Sequence, residues 1–142
     1  LAESLQTNNQ LGESVDEYQS VVEQSPDNGV ALNNLAWTYY LAKDGRATEA
    51  ARRAYSLLPE NGAVADTLGW ILVETGDVAE GVDILEHAVG LSNGRSEVRY
   101  HYAVGLAKSG KADEARRILQ DVLSSDESFP SREQAERLLA GL

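Results

Sequence analysis

Two short phrases recur along this chain at a nearly constant interval, and that recurrence constrains its fold more than any other feature. Leu35-Ala36-x-x-Tyr39 returns as Leu68-Gly69-x-x-Leu72 and Tyr102-Ala103-x-x-Leu106, and is foreshadowed by Leu1-Ala2-x-x-Leu5. The steps between first residues are 34, 33 and 34. A second phrase follows each after 12 or 13 residues: Ser14-x-x-x-Tyr18, Ala47-x-x-x-Ala51, Gly81-x-x-x-Leu85 and Ala115-x-x-x-Leu119. Such a chain folds as a row of similar units, each burying its apolar face against its neighbours.

The spacings within each copy are helical. Leu32, Leu35, Ala36 and Tyr39 follow the i, i+3, i+4, i+7 rule, and Ala47, Ala51, Ala54 and Tyr55 keep a similar helical spacing in the second half of that copy. Gly76 and Gly110 stand where the first helix of a pair must end, since glycine accepts the left-handed cap conformation without a side-chain clash; Asn9 holds the same place in the first copy. Asp77 with Glu80, and Ser131 with Gln134, have the spacing of a capping box. Pro26-Asp27-Asn28-Gly29 and Pro59-Glu60-Asn61-Gly62 stop one helix and offer Asn as the cap of the next.

The residues Leu32, Leu35, Ala36, Tyr39, Ala47, Ala54 and Pro59 in one copy, and Leu68, Gly69, Gly76, Gly81 and Ala88 in the next, resemble the tetratricopeptide repeat pattern. Arg99 and Asn93 depart from it, standing where a large apolar residue and a proline are usual. The resemblance implies an all-α right-handed solenoid of antiparallel helix pairs. The expected division is a truncated repeat over 1–28, repeats over 29–61, 62–95 and 96–127, and a cap helix over 131–142. Leu1 corresponds to the middle of a first helix, so further repeats are expected before it. Phe129, the only phenylalanine, is expected to anchor the cap, whose stripe is Ala135, Leu138, Leu139 and Leu142.

More narrowly, Asn33-Asn34-Leu35-Ala36-Trp37, Asp66-Thr67-Leu68-Gly69-Trp70, Arg99-Tyr100-His101-Tyr102-Ala103-Val104 and the Phe129-Pro130 closing segment resemble the C-terminal end of bacterial tetratricopeptide proteins of exosortase (PEP-CTERM) sorting and exopolysaccharide systems. That resemblance implies a Gram-negative envelope setting, on the periplasmic side, and a part in assembling export machinery.

Composition removes several function classes. A net charge of −11 from 23 acids and 12 bases disfavours a phosphate-binding surface, so no nucleic-acid partner is expected. Acids are concentrated in residues 1–28 and 62–95, where they steer a basic partner or simply solvate an outer face. With no cysteine there is no thiolate metal site and no cysteine nucleophile. The apolar run Trp70 to Val73 is far shorter than the roughly 20 residues of a membrane helix. Glu97 and His101 lie one helical turn apart, but zinc wants three or four ligands and no third is spaced nearby. His87, among Asp83 and Glu86, reads as a surface residue. No phosphate loop, nucleophile elbow or zinc-protease motif appears, so neither catalysis nor a cofactor is expected.

What remains is a second face on each first helix. Asn33, Trp37, Tyr40 and Leu41 share a stripe roughly 130° from the core stripe. The next copies place Asp66, Trp70, Val73 and Glu74, then Tyr100, Val104, Ala107 and Lys108, on that stripe. In the family resembled, this face lines a concave groove that holds peptides. Trp37, Trp70 and Tyr100 are therefore expected as anchors and Asn33, Asp66 and His101 as polar selectors, for Trp and Tyr are common binding hot spots. The alternative wedges either Trp between neighbouring helices as packing. The chaperone-adaptor members clamp a peptide carboxylate with Lys and Arg, whereas the matching places here carry Trp37, Trp70, Glu97 and His101, so chaperone tails are not expected partners. The competing function is a structural spacer or a self-association module working through the open N-terminal end.

Overall fold

The computed structural model describes residues 2–125 and 127–142, with side chains from Gln10 onward. Among the described residues there are eight α-helices and no strand. They fall into two compact units, Leu1–Pro59 and Glu60–Leu142.

The first unit holds α1 (Ala2–Gln24), α2 (Gly29–Leu41) and α3 (Ala47–Leu57). Asn28 caps α2 as its sequence position predicts, its side chain accepting the Ala31 N–H at 3.0 Å. The unit's core is the α2 stripe Leu32, Leu35, Ala36 and Tyr39 against the alanines Ala47, Ala50, Ala51 and Ala54 of α3. Small residues on one helix let the large ones of its partner fill the seam. The Tyr39 hydroxyl accepts a hydrogen bond from Gln19 of α1 at 2.7 Å, and the Arg46 guanidinium lies 4.6 Å from the Tyr39 ring centroid.

One expectation fails here. The helix does not break near Asn9; α1 runs through it without interruption. Prolonging an existing helix adds one hydrogen bond per residue, whereas a separate stub would need its own nucleus and its own buried face. Gly12 is carried inside α1, where a Cβ would meet nothing within 4 Å among the described residues. The Leu1-Ala2-x-x-Leu5 phrase lies outside the residues whose side chains are described.

The second unit holds α4 (Gly62–Thr75), α5 (Val78–Leu91), α6 (Ser96–Lys108), α7 (Ala112–Ser124) and α8 (Arg132–Ala140). Asn61 caps α4 by accepting the Val64 N–H at 3.1 Å, and Gly76 and Gly110 adopt the left-handed conformation with φ of 110° and 85°. The helices α4 and α5 approach most closely where glycines face each other. A Cβ on Gly81 would stand 2.9 Å from the Gly69 carbonyl oxygen, and one on Gly69 would stand 2.6 Å from Leu85 Cγ. The core continues through Leu85, Leu106, Leu119 and Val122 to Phe129 and Ala135, with Leu138, Leu139 and Leu142 packed on it.

The two expected capping boxes do not form. Neither Asp77 nor Ser131 makes a side-chain cap hydrogen bond to its own helix. Ser131 is engaged elsewhere, as described below. Among the described residues no helix is long and apolar enough to cross a membrane.

Candidate functional site

In the first unit, α2 carries Asn33, Trp37, Tyr40 and Leu41 on the stripe away from its core. Trp37 and Tyr40, one turn apart, stack with ring centroids 5.2 Å apart and both are half-buried. Leu41 beside them is 48% exposed. Asn33 Oδ1 is shut off from solvent and accepts no hydrogen bond among the described residues. An acceptor in that state costs about 1–3 kcal/mol.

In the second unit the stripe divides. Trp70 on α4 is half-buried, its indole lying 4.3 Å from the His101 ring and 6.3 Å from the Tyr100 ring by centroids. Asp66 sits one turn before it. Lys108 and Glu74 are exposed and pair with each other at 3.3 Å across α6 and α4. Four of the expected groove residues are instead buried. Val73 is 2% exposed because it fills the hollow left by two glycines: a Cβ on Gly81 would lie 2.7 Å from its Cγ2, and one on Gly105 3.2 Å. Val104 and Tyr100 belong to the same core cluster. His101 is 6% exposed. These four support the face from behind and are not presented on it.

His101 was expected to select ligands; the structure gives it another task. Its Nδ1 lies 2.7 Å from Asp66 Oδ1 and its Nε2 lies 3.1 Å from Glu97 Oε2. A neutral imidazole has one N–H and one lone pair, so it satisfies only one of two facing carboxylates; the imidazolium donates to both. Burial alone would lower the His101 pKa, but hydrogen bonds and charge from Asp66 and Glu97 outweigh it and raise it to about 9. Burial likewise pushes the Glu97 carboxyl upward, and the donors His101 and Ser131 more than reverse this, holding it below its ordinary value.

Glu97 does double duty. It also accepts the Ser131 backbone N–H at 2.9 Å and the Ser131 hydroxyl at 2.6 Å, at the N-terminus of α8. In return Glu127, from the segment leading to α8, accepts the Ser96 hydroxyl at 2.8 Å at the start of α6. Each helix N-terminus thus meets a carboxylate from the other segment, favourable both as a hydrogen bond and against the helix dipole. Sequence spacing pairs Glu97 with His101 but does not reveal Asp66, which comes from 35 residues earlier. The signal was available in the repeat itself: 35 is one period plus one residue, the separation of diagonal neighbours on adjacent first helices. Both nitrogens of His101 are committed to carboxylates, and among the described residues no group of three or more His, Cys, Asp or Glu is arranged to hold a metal.

The pairing of small-residue helix hairpins at this period is matched by a known family model. The tetratricopeptide repeat model covers residues 72–142, half of the chain. The chain belongs to the tetratricopeptide repeat family. Among curated proteins it is 31% identical over 83 residues to the TPR repeat-containing protein PA4667 of Pseudomonas aeruginosa. That alignment takes in 57% of this chain and 14% of the relative, so the chain matches only a small part of that longer protein. Among solved structures, MamA superposes with a TM-score of 0.75 at 17% identity, over 99% of this chain and 91% of MamA. YrrB, described as a tetratricopeptide protein with an unusual peptide-binding site, gives a TM-score of 0.74 at 23% identity, over 99% of this chain and 71% of YrrB. These likenesses establish the tetratricopeptide solenoid as the fold. Proteins of the family are protein-interaction scaffolds.

Proposed function

We propose that the chain is a non-catalytic scaffold that holds a peptide or protein segment on the outward stripe of its first helices. The observation that carries this reading is the treatment of the two tryptophans. Trp37 and Trp70 occupy the same place in successive copies and both are half-buried, and around Trp70 the stripe residues Val73 and Val104 are packed away. A half-buried tryptophan already held by its neighbours pays little entropy on binding and brings apolar contact to it. Trp37 stands with Tyr40 and the unsatisfied Asn33 carbonyl; Trp70 stands with Asp66, Glu74 and Lys108. The first cluster, with Leu41 exposed beside it, fits an apolar side chain. The second fits a segment carrying charge of either sign beside an apolar anchor.

The test is capture of a binding partner by the intact chain and by the Trp37→Ala/Trp70→Ala double variant. Binding lost at unchanged helicity supports the reading, and binding retained by the double variant overturns it. The setting we propose is bacterial envelope protein sorting or exopolysaccharide export, supported by the sequence resemblance at Asn33 to Trp37, Asp66 to Trp70 and Phe129-Pro130. A second reading, self-association or a spacer role through the N-terminal edge, is favoured by one observation. The α1 stripe Leu11, Val15, Tyr18 and Val22 is only half-buried, and Val21 is 42% exposed. Sedimentation of the intact chain over a range of concentrations separates this second reading from the first.

A further inference from the structure

The N-terminus of the terminal helix α8 is held by the Glu97 carboxylate, beside the Arg132 bond to the Leu123 carbonyl at 2.6 Å, and Glu97 is itself gripped by His101. His101 in turn is anchored by Asp66, on α4. Among the described residues α4 packs on α5 and α6 but makes no contact with α8, so any influence of one on the other must pass through α6. The side chains of Asp66, His101, Glu97 and Ser131 form an unbroken line of hydrogen bonds along that route, none longer than 3.1 Å. Trp70 lies against the imidazolium ring and closes the line from one side.

We propose that docking of α8 is coupled to the Asp66 carboxylate through the relay Asp66–His101–Glu97–Ser131. Asp66 acts as a positioning residue. It holds Nδ1 of the imidazolium, which fixes the ring so that Nε2–H meets Glu97, which in turn presents its two oxygens to the Ser131 N–H and hydroxyl. Without the Asp66 charge the ring loses its anchor, and Glu97 loses both an oriented donor and the cation that offsets its burial. The charged groups acting on His101 are Asp66 from α4 and Glu97 from its own helix; the remaining ring neighbours, Trp70 and Tyr100, are uncharged. The Asp66 side chain is 18% exposed, so it is reachable from outside. An arriving ammonium or guanidinium group that takes Asp66 draws on the same carboxylate, so basic-partner binding and α8 undocking are linked reciprocally. That last consequence rests on the binding reading above; the relay itself does not.

The experiment is a double-variant cycle on the full chain, read by hydrogen exchange of the α8 amides at neutral pH. The four proteins are unmodified, Asp66→Asn, Ser131→Ala and the combination, with 15N-histidine spectra reporting the protonation of His101. Asp66→Asn is expected to speed α8 exchange about 3- to 10-fold, the size of coupling seen between members of one network, and to do so less in the Ser131→Ala background, which keeps only the backbone N–H to Glu97. It should also lower the His101 pKa. Unchanged α8 exchange in Asp66→Asn overturns the proposal, as does an equal acceleration with and without the Ser131 hydroxyl. Should Asp66→Asn loosen the whole unit, seen as faster exchange throughout α5, the cycle is repeated with His101→Gln in its place and judged by the same outcomes. No ligand enters this experiment, so its failure leaves the scaffold reading standing, and failure of the capture test leaves the relay standing.

Discussion

The protonated state of His101 has a thermodynamic consequence that can be measured without knowing any partner. Its pKa is raised from 6.5 to about 9 in the folded chain. A group whose folded pKa is raised stabilises the fold fully below its unfolded value and ceases to do so as pH rises through its folded value. Between pH 6.5 and about 9 the folded chain binds one proton more than the unfolded chain at this site. Stability should therefore fall by about 1.4 kcal/mol per pH unit, for a total of about 3 kcal/mol. The partner Glu97, held below its ordinary pKa, adds the opposite dependence on the acid side: its contribution is present above about pH 4.5 and is lost as pH falls through its lower folded value. Urea unfolding in a Trp37→Phe background leaves Trp70 as the only tryptophan and so reports on the second unit. The measurement compares that protein with its His101→Gln derivative at steps from pH 6 to 9.5. Taking the difference removes the general rise in self-repulsion of a chain already at −11. A difference that is flat with pH, or that grows as pH rises, refutes the imidazolium assignment.

Three further outcomes follow from the backbone. Gly81→Ala places a Cβ 2.9 Å from both the Gly69 carbonyl oxygen and the Val73 nitrogen, backbone atoms that cannot rotate away. It should cost about 1–3 kcal/mol in chemical denaturation. Gly90→Ala, in the same helix α5 but with nothing within 4 Å, should instead stabilise by about 0.5–1 kcal/mol. Lys43 sits at φ 58°, at the place where the later copies have Gly76 and Gly110. Lys43→Gly should raise the melting temperature by removing left-handed strain of about 1 kcal/mol, and a lowered value would show that the Lys43 side chain holds the turn.

The helices from α2 onward were legible because their strongest signals are local. The 3.6-residue stripe, the Asn28 and Asn61 caps and the Gly76 stop all act within a few residues of where they are read. The α1 helix was misread for the same reason. Asn9 and Gly12 have the chemistry of a turn, yet α1 continues through both, so those two residues do not decide the matter locally. The site was half legible. Trp37 and Trp70 stand out because tryptophan is rare and the period repeats it. Val73 and Val104 were assigned to the same face by angle alone, which treats every helix as an isolated cylinder. What pulls Val73 inward is the absence of side chains on its neighbours: Gly81 and Gly105 leave a hollow, and the nearest branched residue fills it. A glycine is therefore to be read for what it admits on the helix opposite.

His101 makes the complementary case for charge. Read on its own helix it has one carboxylate, Glu97, and resembles half of a metal site. Read one period back it has a second, Asp66, and two carboxylates on one imidazole make a cation, for which neither metal nor catalysis has to be invoked. In a repeat protein the first neighbours of a residue on the stacked face are the residues one period away, give or take one position. Applied to this chain, that rule pairs Asp66 with His101 and Glu97 with Ser131, two successive links at separations of 35 and 34. The same period that builds the apolar core thus also lines up the polar relay from α4 to α8. Ser131 lies one period beyond Glu97 and there donates to its carboxylate, although the Phe129-Pro130 sequence before it departs from the repeat.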